Sequence, residues 1–151
     1  MKVLALCGES DTGKTSTLRL VARKMKDKYG CPDYSNDYFC NHIKNDYGEI
    51  WAVFKLKTKN IVIFITTRGD YPKIIKDDLN SARKQYQGKI DLIVCAMHDT
   101  PLFLNRMKKL SDGNLDIIDK QVSTKSEEAA CNEACATAIF EKIENFIKAY
   151  N

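Results

Sequence analysis

Apolar and polar positions along this chain fall into blocks that switch between the two-residue period of strands and the 3.6-residue period of helices. Residues 2 to 7 (Lys-Val-Leu-Ala-Leu-Cys) are a short apolar run that stops at Gly8, the pattern of a buried strand entering a loop. From Lys14, the positions Leu18, Val21, Ala22, Met25 and Tyr29 recur at helical spacing and end at Gly30, with Lys24, Lys26 and Lys28 near the negative end of the helix dipole. The stretch from Gly30 to Gly48 has no periodicity and is long for a connection in a compact domain. Ile50 to Leu56 and Asn60 to Thr67 are strand-like runs joined by Lys57-Thr58-Lys59, which predicts an antiparallel hairpin with the second, more apolar strand nearer the centre.

After Gly69-Asp70-Tyr71-Pro72, the residues Ile75, Leu79, Ala82 and Tyr86 mark a helix closing at Gly88. Ile90 to Met97 is a buried strand, and Asp99-Thr100-Pro101 begins a short helix to about Leu110 with Asp99 as its N-cap. Leu115 to Val122 supplies a last strand. From Ser123 to Asn151 the chain reads as one amphipathic helix, with Thr124 and Glu127 as a capping box and Cys131, Ala134, Cys135, Ala138, Ile139, Phe146 and Tyr150 along one stripe. Strands alternating with helices predict a three-layer α/β fold: about five strands, mostly parallel, with one antiparallel hairpin strand.

Composition narrows this picture without changing it. The 151 residues suit a single domain spanning 1–151, and 44% hydrophobic with 29% charged residues excludes collagenous, low-complexity and disordered classes. The longest apolar runs are far below the roughly 18 residues of a membrane helix, and Val3 to Cys7 is too short for a signal-peptide core, so a cytoplasmic location is expected. The net charge of +4 is spread along the chain and supports nucleic-acid binding only weakly. Cysteines 7, 31, 40, 95, 131 and 135 read mostly as reduced core residues; Cys31, Cys40 and His42 match no standard zinc spacing.

The sharpest chemical signal is Gly8-Glu9-Ser10-Asp11-Thr12-Gly13-Lys14-Thr15, which fits G-x-x-x-x-G-K-[ST] at every fixed position, between a predicted strand and a predicted helix. Glycines let the backbone curl so that successive N–H groups point at phosphate oxygens, and the helix N-terminus adds positive potential. On these residues the chain resembles the P-loop NTPases, and the strand and helix succession extends the resemblance over most of its length. The resemblance implies a P-loop fold that binds a nucleoside triphosphate through residues 8 to 16, Ser16 included. Lys14 would lie on the β and γ phosphates and Thr15 on Mg²⁺. The long loop followed by a hairpin looks most like the small GTPases, with the second hairpin strand beside the first strand and one strand-helix unit missing between residues 70 and 90.

Departures from that family's pattern carry their own expectations. Thr66 stands where the metal-anchoring aspartate belongs, leaving Asp70 as the substitute metal and catalytic carboxylate, or as the cap of the helix starting near Pro72. Arg68 is either a cis arginine finger or a surface ion pair. Ala96-Met97-His98-Asp99 keeps only the last residue of the guanine-reading motif, so ATP is favoured over GTP by elimination. The 31 to 48 loop, with Asp33, Asp37, His42 and Asp46 among aromatic residues, would contact a small-molecule acceptor or a protein partner. Two functions are open: a Mg²⁺-dependent enzyme that hydrolyses ATP or transfers its phosphoryl group to a small acceptor, or a non-catalytic nucleotide-dependent interaction module. Lys55, Lys57 and Lys59 on the hairpin read as the guard of an edge strand in preference to a nucleic-acid contact.

Overall fold

A computed structural model of the chain describes residues 1–35, 49–68 and 72–150. The elements are β1 (Lys2–Cys7), α1 (Lys14–Tyr29), β2 (Tyr34–Ser35), β3 (Trp51–Leu56), β4 (Ile61–Thr66), α2 (Pro72–Gln85), β5 (Leu92–Met97), α3 (Pro101–Leu110), β6 (Leu115–Asp119) and α4 (Glu128–Ala149). The architecture is α/β, with one six-stranded sheet in the order β2-β3-β4-β5-β1-β6. β1 pairs in parallel with β5 and β6, and β4 with β5, while β3 is antiparallel to both β2 and β4.

Two expectations are corrected here. The sheet is mixed, with β3 alone running against the other five strands, and it has six strands where about five were expected, because Tyr34 and Ser35 at the start of the long loop pair with Val53 and Ala52. A two-residue strand carries no period of its own. The second hairpin strand does not lie beside β1; β5 stands between them, unlike the arrangement expected from the small GTPases.

Helices cover both faces, which is why the central strands read as continuous apolar runs. Alternate residues of β1 and β4 face opposite ways: Leu4, Leu6, Ile63 and Ile65 pack with Leu18, Val21 and Met25 of α1 and Ile139 and Ile143 of α4. Val3, Ala5 and Phe64 pack with Ile75 and Leu79 of α2 and Met107 of α3. No helix among the described residues is long and apolar enough to cross a membrane.

The phase and start of α4 differ from the sequence reading. It begins at Glu128, and Thr124 donates to the Glu127 carboxylate (2.8 Å) within the preceding turn, so the expected capping box does not form. Its buried face is Asn132, Ala136, Ile139, Ile143 and Ile147, whereas Ala134 and Ala138 are exposed and Cys131 and Cys135 half-buried. Similarly, the N-cap of α3 is Thr100, whose hydroxyl accepts from the Phe103 N–H (3.4 Å), and not Asp99. β6 ends at Asp119, before the expected Val122. Lys59 donates to the carbonyl oxygens of Ile147 (2.8 Å), Lys148 (3.4 Å) and Tyr150 (3.3 Å) at the negative end of α4, which gives it a capping role.

α1 and α4 are clamped by Glu144, which accepts hydrogen bonds from Lys28 and from the Tyr29 hydroxyl. Burial raises the Glu144 carboxyl, but the hydrogen bonds from Lys28 and Tyr29 outweigh it and hold the group below its ordinary value. A carboxylate with a depressed folded-state pKa contributes stability above its unfolded pKa and loses it as pH falls through the folded value. Glu144→Gln should therefore lower stability at neutral pH by about 1–2 kcal/mol and flatten its decline below about pH 4.5. Denaturant titrations across that range check this; an unchanged acid limb would contradict it.

Candidate functional site

The carboxyl ends of β1, β4, β5 and β6 share one edge of the sheet, and β1 emerges there between β5 and β6, with Cys7 level with Met97 and Asp119. The Gly8 N–H donates to the Met97 carbonyl (3.3 Å) and the Lys120 N–H to the Cys7 carbonyl (2.7 Å), so both neighbours fix where the chain leaves the sheet. Residues 8 to 13 then curl back into α1. Asp11 and Gly13 take left-handed backbone angles, φ 59° and φ 80°.

Close packing explains the glycines. A Cβ at Gly13 would lie 2.5 Å from Asn132 Oδ1, and one at Gly8 would lie 3.1 Å from Thr12 Oγ1 and 3.2 Å from Lys120 Cβ. The Thr12 hydroxyl donates to the Glu9 carbonyl (2.9 Å). Thr17 donates its N–H (2.9 Å) and hydroxyl (2.8 Å) to the Gly13 carbonyl, and its hydroxyl also lies 3.3 Å from Asn132 Oδ1.

Lys14 is 6% exposed, and its ammonium donates to the Gly8 carbonyl (2.9 Å) and to that of Glu9. These two backbone acceptors hold the charge at the mouth of the loop. Beside it is an open cavity of about 490 Å³, lined by Ser10, Asp11, Gly13, Lys14, Thr15 and Ser16 and completed by Ala96 and Glu128. Six of the nine expected loop residues, Ser10, Asp11 and Gly13 to Ser16, therefore line one cavity.

Of the other two expected catalytic residues, the described residues include only Arg68. Asp70 and Gly69 lie outside the described residues, as do Asp37, Cys40, His42 and Asp46 of the long loop. Thr66 is fully buried, and its hydroxyl accepts from the Arg68 N–H (3.1 Å). Because β5 intervenes, β4 runs roughly 10 Å from β1 at ordinary strand spacing. Arg68 bonds both Asp78 oxygens (3.2 and 3.3 Å) and pairs with Glu49 (3.4 Å), which is the surface ion-pair role and ties it to α2. Among the described residues no group of three or more His, Cys, Asp or Glu is arranged to hold a metal ion.

The strand order brings other groups to the loop. Burial first, then the Asp99 and Asp119 carboxylates, raise the Cys7 thiol against the lowering effect of Lys14, so two acids flank the end of β1. Asp119, Lys120 and Asn132 were not singled out by the sequence reading. Asn132 had a signal: it is the polar member of the buried set 132, 136, 139, 143 and 147. His98 is half-buried, edge-on to Phe103 with ring centres 5.5 Å apart. No family model, curated protein or solved structure matches the chain.

Gly13→Ala should destabilise the protein by at least about 1–2 kcal/mol from the left-handed backbone alone. Combining it with Asn132→Ala should recover the steric part of the loss and not the backbone part. Denaturant midpoints of the two single variants and the double variant test this; a Gly13→Ala protein as stable as wild type would contradict the loop geometry.

Proposed function

We propose that this chain binds a nucleoside triphosphate, ATP in preference to GTP, through residues 8 to 16. The observation that carries the reading is the buried Lys14 ammonium resting on two carbonyl oxygens at the mouth of a glycine-shaped loop, at the N-terminus of α1. Neutral carbonyls are weaker partners for an ammonium than phosphate oxygens, so a triphosphate gains a charge-assisted hydrogen bond there. The start of α1 supplies backbone N–H groups with no partner inside the helix and a positive dipole end. Mg²⁺ would be held by the Thr15 hydroxyl, a hard oxygen donor of the type that ion prefers, and would supply charge neutralisation at the phosphates. The adjoining cavity of about 370 Å³, where Val122 is 78% exposed, gives the nucleoside a place beside Glu9 to Thr12.

The role of the bound nucleotide has two readings. In the first, the protein is a P-loop enzyme of three-layer architecture that hydrolyses ATP or passes its phosphoryl group to a small acceptor. In the second, it is a non-catalytic module whose 31 to 48 loop meets a protein partner when nucleotide is bound. Thr66 at the end of β4 and the pairing of Arg68 away from the loop favour the second.

Calorimetric titration with ATP and GTP in the presence of Mg²⁺ tests binding. Wild type should bind ATP, and Lys14→Ala should bind it at least about tenfold more weakly, the loss expected for one charge-assisted hydrogen bond. Equal, negligible binding by both proteins would overturn the proposal. Phosphate release with a defined acceptor would then select the first reading, and tight binding without turnover the second.

A further inference from the structure

α2 and α3 lie over the same face of the sheet, and between them is a cavity of about 530 Å³, separate from the loop at the end of β1. Its rim carries Lys73, Lys76 and Arg83 from α2 and Arg106 and Lys109 from α3. The α2 residues 73, 76, 80 and 83 follow i, i+3, i+7, i+10, so they form one stripe running about 15 Å along the helix at its ordinary rise. Arg106 and Lys109 are likewise three apart and face it.

No ion pair among the described residues offsets the charge there. Elsewhere four lysines do pair with acids: Lys24 with Glu133, Lys28 with Glu144, Lys89 with Asp91 and Lys142 with Asp116. Among the described residues none of the five groove cations pairs with an acid and no acid lines the cavity; Arg83 contacts the Met1 sulfur (3.5 Å). Of the two acids of α2, Asp78 is occupied by Arg68, and the exposed Asp77 forms no ion pair with a groove cation. Five like charges along one groove repel one another, and a complementary anion relieves that repulsion.

From this we infer that the α2–α3 groove is a docking surface for an acidic, amphipathic segment of a partner protein. Its bottom is formed by Ile75, Leu79, Met107 and Leu110, and the aliphatic stems of the lysines and arginines continue that apolar lining upward. A peptide with a few apolar anchors and flanking carboxylates matches both layers. Nucleic acid fits less well, because among the described residues the lining holds no aromatic side chain on which a base stacks. A flat lipid surface does not enter a cleft between two helices. The inference is independent of nucleotide binding.

A displayed library of random 16-residue peptides, selected on the full chain, tests it. Peptides enriched on wild type should be net acidic with two or more large apolar residues, weaken as salt is raised, and lose at least about tenfold in affinity for Lys76→Glu/Arg106→Glu. Both residues are exposed, so this double variant should keep the wild-type melting curve; Lys73→Gln/Lys109→Gln provides a milder second test. Lys26→Glu, on α1 at the other face of the sheet, should bind the same peptides unchanged. The inference is overturned if no enriched peptide distinguishes wild type from the two groove variants, or if the enriched peptides are neutral or basic. It is equally overturned if the groove variants instead lose affinity for duplex DNA or for phosphatidylserine vesicles.

Discussion

The turn from β1 into α1 is made in six residues, and it closes only because Gly13 holds a left-handed backbone with the buried Asn132 amide against the place where a side chain would be. That contact joins the first and last helices at the site, since the same amide oxygen lies 3.3 Å from the Thr17 hydroxyl. From it follow the direction of α1, the place of Lys14 at the loop mouth and the entry of Glu128 into the cavity wall. α4 is therefore more than cover for the sheet. Its first turns shape the loop, while Glu144 and Lys59 secure the far end of the helix.

Strand order decides which groups reach that loop. With β5 and β6 on either side of β1, the near carboxylates are Asp99 and Asp119, and the end of β4 is one strand removed. A residue at position 66 is thus remote from the loop mouth whatever its type, and the buried Thr66 is well suited to a dry position where an unpaired carboxylate would be costly. The proposed binding groups lie in one continuous stretch, residues 8 to 16, while Thr66 and Arg68 are engaged elsewhere. The groove between α2 and α3 lies on the opposite face of the sheet from α1 and α4, so the two surfaces can serve different partners.

Much of the fold is legible in the sequence because its elements obey a single period or carry a local punctuation mark. β1, α1, the hairpin and α3 start and end within a residue or two of their expected places, α3 through its proline and α1 through Gly30. The hidden parts depend on distant chain. Tyr34 and Ser35 become a strand only by pairing with β3, and no period in the sequence states that β5 lies between β1 and β4. The buried face of α4 departs from its apolar stripe because Ala134 and Ala138 are apolar yet exposed, whereas Asn132 is polar yet buried by its contact with Gly13. In the candidate site the loop itself is fully readable from its spacing. Its supports, Lys120 and Asn132, come from residues more than a hundred positions away.

The central claim is that residues 8 to 16 are a phosphate site supported by α4. Titrating nitrogen-15-labelled protein with ATP and Mg²⁺ and tracking backbone amide shifts tests it most directly, because the loop N–H groups are the proposed ligands. The account predicts that the largest shifts fall on residues 9 to 16, with a further change at Asn132. A saturating titration that leaves those amides unmoved, or moves only residues remote from the loop, would contradict it.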